Sequence, residues 1–119
     1  MIFAFGQTGT IMGNTINGAN SAITLYSPGS GVKVTTNAIS NSAGGVSVAS
    51  ATGAIVQTNT LSSISGQALQ LNESGGGGSN NVTKNTVNDA NCGISNGQAA
   101  GSDVYLPNTL INTASNLCP

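Results

Sequence analysis

Residues 31–53 read GVKVTTNAISNSAGGVSVASATG, and the spacing of Val34, Asn37 and Ile39 within them decides the fold. An asparagine followed two residues later by an aliphatic residue recurs at a nearly constant spacing at Asn14, Asn37, Asn59, Asn85 and Asn108. Successive asparagines are 23, 22, 26 and 23 residues apart. A period of about 20 to 50 residues indicates a stacked repeat architecture. The sequence therefore predicts a solenoid.

Within each repeat, apolar residues alternate with polar ones, as in 31–35 (GVKVT) and 68–71 (ALQL). This period of two is typical of half-buried β-strands, and helical spacing is not sustained anywhere. Apolar residues recur three residues before each asparagine, two after it, and about nine and eleven after it. The pattern predicts an all-β parallel β-helix of about five coils, with three short strands per coil stacked roughly 4.8 Å apart.

The units at 9–30 (GTIMGNTINGANSAITLYSPGS), 31–53 and 80–102 (NNVTKNTVNDANCGISNGQAAGS) resemble right-handed parallel β-helix repeats. This is the superfamily of pectate lyases and secreted bacterial β-helix proteins, and the resemblance covers residues 9 to 117. It implies a right-handed fold and a bacterial source. Because the superfamily includes lyases, hydrolases, epimerases, tail spikes and surface proteins, the resemblance does not imply a particular activity.

The repeat predicts a single domain over residues 1–119. Its coils are expected at about 9–30, 31–53, 54–79, 80–102 and 103–119, with residues 1–8 forming a partial N-terminal coil. The third unit is longer than the others, and its excess falls at Glu73–Ser79, which contains four consecutive glycines. Such a run holds a strand poorly, so we expect a flexible loop at one corner.

The repeated asparagine has a structural interpretation. Asparagine tolerates left-handed backbone geometry at a corner and bonds nearby backbone groups. Stacked one per coil, its amide also reaches the next asparagine along the axis and satisfies polar groups that burial would leave unpaired. We therefore expect the five asparagines to form a ladder without a role in ligand binding.

Cys92 and Cys118 are the two cysteines of the chain and fall in adjacent coils. An even count in an exported protein permits a disulfide that would staple the final coil. The two residues lie at different offsets from the local asparagine, so two separate, partly buried thiols remain an equal alternative. A zinc site is not expected, because histidine is absent and two thiols alone do not complete a tetrahedral shell.

Composition excludes several functions. Only 4% of residues are charged, and two lysines with no arginine leave no basic patch for nucleic acid. No apolar run of about 18 residues exists for a membrane span. The charged residues occupy different points of the repeat, so neither a catalytic centre nor a cofactor is expected. They are Lys33, Glu73, Lys84, Asp89 and Asp103.

The strand after each asparagine presents an uncharged outward face. Its residue pairs are Thr15/Asn17, Ala38/Ser40, Thr60/Ser62, Thr86/Asn88 and Thr109/Ile111. Such a flat face suits the binding of a glycan or of ice.

The two ends of the chain fall at the same point of the repeat. Residues 1–5 occupy the third-strand position of a preceding coil, and Leu117 occupies that position in the last coil. Ile2, Phe3, Phe5 and Leu117 are therefore candidates for self-association, since terminal coils expose unpaired strand edges. A head-to-tail contact of this kind does not close and generates fibres.

These patterns favour a non-catalytic structural solenoid, secreted or at the cell surface, whose partners are other copies of itself stacked end to end into a filament. One alternative is the C-terminal part of a secreted carbohydrate-active β-helix enzyme, with its catalytic coils upstream and a polysaccharide as ligand. A further alternative is the glycan- or ice-binding face.

Overall fold

A computed structural model describes residues 1–6, 8–26, 30–72 and 76–119 of the protein. These residues form a solenoid of parallel β-strands without an α-helix. The strands are β1 (Ile2–Phe5), β2 (Thr10–Met12), β3 (Thr15–Asn17), β4 (Ile23–Tyr26), β5 (Lys33–Thr35) and β6 (Ala38–Ser42). They continue as β7 (Val46–Ala49), β8 (Ile55–Gln57), β9 (Thr60–Asn72), β10 (Asn81–Thr83), β11 (Thr86–Gln98) and β12 (Thr109–Cys118).

The strands stack in three columns, as the repeat predicted. The first column contains β2, β5, β8 and β10, and a bridge from Asn81 to Val104 extends it into the last coil. The second contains β3, β6 and the N-terminal parts of β9, β11 and β12. The third contains β1, β4, β7 and the C-terminal parts of the same long strands. The predicted all-β, three-stranded coil is confirmed.

Strand register follows the alignment on the asparagines. In the second column Ile16, Ile39, Leu61, Val87 and Leu110 stack in that order. In the third column the stack is Ile2, Ile23, Val46, Leu69, Ile94 and Leu117. The members of both stacks in the middle coils are almost completely buried. Because the largest fully buried side chains are all aliphatic, the core is a thin layer of Ile, Leu and Val.

In the first four coils the corner before the second strand has left-handed backbone geometry, but not at the asparagine. Gly13, Thr36, Thr58 and Lys84 have φ between 54° and 67°, and each directly precedes a ladder asparagine. The expectation that asparagine itself adopts the left-handed conformation is therefore wrong. The preceding residue completes the turn, which leaves the backbone N–H of the asparagine free to bond along the axis.

Part of the glycine run, residues 75–78, pairs with the neighbouring coils. Gly78 is buried at φ +129°, where its N–H donates to the Ala51 carbonyl at 2.7 Å and its carbonyl accepts from the Gly53 N–H at 3.0 Å. A Cβ there would lie 2.6 Å from the Ser102 hydroxyl oxygen. The predicted flexible loop is thus wrong for Gly78, and Glu73–Gly75 lie outside the described residues.

A disulfide joins Cys92 to Cys118, with the two Cα atoms 6.3 Å apart. Register places Cys92 beside Ser115 and Cys118 beside Ser95, so the cysteines are not stacked equivalents. The bond crosses diagonally between adjacent coils without the chain folding back. It fastens the C-terminal segment of β12 to β11.

Replacing Asn59 by alanine should lower the free energy of unfolding by at least about 3 kcal/mol, because buried partners lose their hydrogen bonds. Asn59 is 1% exposed, and its side chain accepts two hydrogen bonds and donates three. Asn14→Ala, at the end of the ladder, is the control and should cost only about 1 kcal/mol. Urea denaturation of both variants measures the difference, and equal losses would contradict a cooperative ladder.

Removing the disulfide in the double variant Cys92→Ala/Cys118→Ala should destabilise the protein by roughly 3.5 kcal/mol. This value follows from the chain entropy of a loop closed over a sequence separation of 26. Reductant should lower the urea midpoint of the wild type and leave the variant unchanged. A wild type that is insensitive to reductant would show that the bond contributes nothing.

Candidate functional site

The asparagine ladder is continuous through all five coils. Each side-chain amide Nδ2 donates to the Oδ1 of the next asparagine at 2.9 Å, from Asn14 to Asn37 and onward to Asn108. Each backbone N–H donates to the same Oδ1 at 2.9 to 3.0 Å. Two donors from one coil therefore converge on one acceptor of the next coil.

The second proton of each side-chain amide bonds backbone carbonyls of its own corner and of the previous coil. Nδ2 of Asn59 is 2.9 Å from the carbonyl of Val34 one coil earlier and 3.1 Å from that of Gln57 in its own corner. Asn37 and Asn85 make equivalent contacts and are 1% and 0% exposed. Since buried polar groups need partners, these bonds determine how each coil lies on its neighbour.

The ladder has a direction, and its two ends are complementary. Among the described residues, no group donates to Oδ1 of Asn14. At the other end, the Asn108 Nδ2 donates only to the Val82 and Tyr105 carbonyls, and its backbone N–H has no acceptor within the described part of the chain. One end therefore presents an acceptor, and the other presents the donors that such an acceptor receives elsewhere in the ladder.

The predicted end residues lie at both edges of the third column. Leu117 continues the inward-facing stack but is 46% exposed because no coil covers it. Ile2 begins the same stack and is partly buried. Phe3 and Phe5 instead lie on the outer surface, 56% and 58% exposed, and Phe5 stacks on Tyr26 with ring centroids 5.8 Å apart.

The charged residues of the described chain do not converge. Asp89 and Lys84 are exposed corner residues with left-handed φ, and Lys33 is exposed on the first column. Asp103 is engaged in structure, since its Oδ1 accepts from the backbone N–H and the Nδ2 of Asn80, each at 3.0 Å. Its Oδ2 accepts from the Ala100 N–H at 2.8 Å. Within the described ranges no three His, Cys, Asp or Glu residues group as metal ligands.

Asp103 and Asn80 form a second, shorter ladder that the sequence analysis missed. Oδ1 of Asn80 accepts from the Ala54 N–H at 2.9 Å, and the backbone N–H and Nδ2 of Asn80 donate to Asp103. All three residues stand five positions before a ladder asparagine. That shared offset was visible in the alignment and could have identified Asp103 as structural.

The residues of the predicted outward face stack along the second column. Thr15, Ala38, Thr60, Thr86 and Thr109 stack in register, as do their partners two residues later. Asn17 donates to the Ser40 hydroxyl at 3.0 Å. Ala38 and Ile111 interrupt the hydroxyl and amide pattern, so the polar face is not uniform.

A groove of about 580 Å³ follows the corner between the second and third columns, and no sequence pattern indicated it. Glycines at its floor bring the backbone close, and a Cβ on Gly45 would lie 2.1 Å from the Ala68 carbonyl oxygen. Carboxamides of Asn20, Gln67, Gln70 and Asn91 line its walls. The lining carries hydrogen-bonding groups without a charged or aromatic side chain.

None of the described residues belongs to a helix that could cross a membrane. The family model described as "Right handed beta helix region" matches residues 1–114. No curated protein and no solved structure matches the chain significantly. The match covers nearly the whole chain and agrees with the parallel coils and their register, so the protein belongs to the right-handed β-helix family.

Proposed function

We propose that the protein is a non-catalytic structural β-solenoid that assembles end to end with copies of itself. The observation that carries this proposal is the polarity of the asparagine ladder. The backbone N–H of Asn108 has no acceptor among the described residues, its Nδ2 donates only to the Val82 and Tyr105 carbonyls, and Oδ1 of Asn14 accepts from no described donor. A second copy of the chain is the occupant that offers an acceptor where this end has a donor, and a donor where it has an acceptor, at the spacing found between coils.

The contact between two copies would repeat a contact already made four times inside one chain. The N–H and Nδ2 of Asn108 would donate to Oδ1 of Asn14 in the next copy. The N–H of that copy's Thr15 would donate to the Asn108 carbonyl, as Thr109 donates to Asn85 at 2.8 Å. A heterologous contact of this kind repeats indefinitely and produces a filament.

Two further features support a structural role without catalysis. The carboxylate of Asp103 is occupied by three hydrogen bonds to Asn80 and Ala100, and the other described charged groups lie apart at exposed positions. The disulfide fits an oxidising compartment, which supports a secreted or surface location.

Charged substitutions on the two sides of the junction test the contact between copies. Thr15 and Thr109 are exposed members of one stack, separated by about 19 Å within a chain but only about 4.8 Å apart across the junction. Wild type should form rods longer than the 31 Å monomer in electron micrographs. Thr15→Lys/Thr109→Lys should stay monomeric at low salt, because like charges would lie directly opposite each other.

The matched control is Thr15→Glu/Thr109→Lys, which places opposite charges at the same junction and should assemble. Light scattering measures assembly, and urea denaturation checks that both variants fold equally well. A wild type that remains monomeric at high concentration would refute self-association. Equal assembly of both charge variants would place the contact elsewhere.

Binding of a neutral glycan is a second candidate, favoured by the amide-lined groove. The side chains of Asn20, Gln67 and Asn91 make no hydrogen bond to the described residues, and carboxamides suit the donor and acceptor pattern of sugar hydroxyls. This surface differs from the flat threonine face on which the sequence placed a glycan.

Gln67→Ala/Asn91→Ala should weaken retention on a neutral polysaccharide gel at least about tenfold, since two polar contacts would be lost. Thr60→Ala/Thr86→Ala on the flat face is the control and should leave retention unchanged. Affinity electrophoresis with uncharged glucans and mannans measures both. Retention lost only in the control pair would assign binding to the flat face instead.

A further inference from the structure

The three columns do not contain the same number of rungs. The asparagine ladder and the second column each have five rungs, from Asn14 to Asn108 and from β3 to β12. The third column has six, because β1 precedes β4. The N-terminal strand is therefore an additional rung in only one column.

The extra rung prevents two copies of the chain, each with β1 in place, from joining in all three columns. If Asn14 of one copy lies on Asn108 of another, β4 lies one rung beyond the C-terminal segment of β12. Strand β1 then occupies the position that this segment needs. If β1 stays in place and pairs with β12, Asn14 and Asn108 are two rungs apart, about 9.6 Å, and cannot bond.

The two segments that compete for the same position, β1 and the C-terminal end of β12, are attached to their neighbours by different numbers and kinds of bonds. β1 pairs only with β4, and Ala4 is its one buried side chain, at 8% exposure. Phe3 and Phe5 are more than half exposed in place. The end of β12 is fastened to β11 by the disulfide at Cys118. Release of β1 therefore breaks the pairing of a single strand and no covalent bond, whereas release of 115–118 is opposed by the disulfide.

We propose that β1 is an exchangeable edge strand that caps the N-terminal end until a second copy arrives. On assembly, Leu117 and Cys118 at the end of β12 in one copy take the place of β1 on β4 of the next. Leu117 then covers Ile23, as Ile2 does in the single molecule. This inference rests on the proposed end-to-end assembly and specifies its mechanism.

Exchange is favourable because the junctions that it adds exceed the pairs that it gives up. β4 gives up four register pairs with β1 and gains two, because Leu117 and Cys118 fall opposite Ile23 and Thr24. The first and second columns and the ladder each gain a junction that the arrangement with β1 in place lacks. The exposed edge of Leu117, at 46%, becomes covered in the same step.

The decisive experiment locks β1 in place. Phe3 and Thr24 are register partners on the outer surface, so Phe3→Cys/Thr24→Cys should form a disulfide between β1 and β4. Ser40→Cys/Ser62→Cys joins two interior coils in the same way and leaves β1 free, which makes it the matched control. Mass spectrometry confirms both bonds, and light scattering follows assembly under oxidising conditions.

The locked variant should lose assembly at least about tenfold in rate, while the interior control assembles like wild type. A chain lacking residues 1–8 should assemble at lower concentration than wild type. If the locked variant assembles as readily as the control, or if removal of residues 1–8 slows assembly, strand exchange is refuted and end-to-end assembly stands. If wild type, control and truncated chain all stay monomeric, the proposed function itself fails.

Discussion

The hydrogen bonds of the asparagine ladder are the constraint on which the rest of the structure depends. At each of four steps, two donors of one coil meet a single Oδ1 of the next at 2.9 to 3.0 Å. These groups are buried in the middle coils, so an offset of one residue would leave several of them without partners. The ladder thereby fixes the register between coils even against a slip of two residues, which would keep the aliphatic face of each strand buried because the side-chain period is two.

A thin core is sufficient because the ladder carries this specificity. The stacks of Ile, Leu and Val supply apolar burial, and no aromatic side chain is among the largest fully buried groups. Corners consist of residues that adopt left-handed geometry, such as Thr36 and Thr58, directly before the ladder position. The same repetition also limits function, because every coil presents similar uncharged side chains and few positions depart from the pattern.

Both proposals arise where the repetition stops. In a directional ladder one end necessarily lacks a donor and the other lacks an acceptor, and in the proposed assembly a second copy of the chain would satisfy both. The ends are nevertheless unequal, because β1 adds a rung to only one column and the disulfide fastens only the C-terminal strand. In the proposed mechanism this inequality turns simple stacking into an exchange of strands. The N-terminal strand would then act as a cap that limits the unpaired edge of the isolated molecule.

The sequence by itself determined the period, the three strands per coil and the stacking of the five asparagines, because each is a local pattern repeated at a nearly constant spacing. It also placed residues 1–5 and Leu117 at the same point of the coil. Only the tertiary structure decided what depends on distances between coils. Cys92 and Cys118 have different offsets yet lie close enough to bond, Asp103 is held by Asn80, and Gly78 is buried against Ser102. The groove likewise appears only when the coils are stacked, since it does not belong to a single repeat.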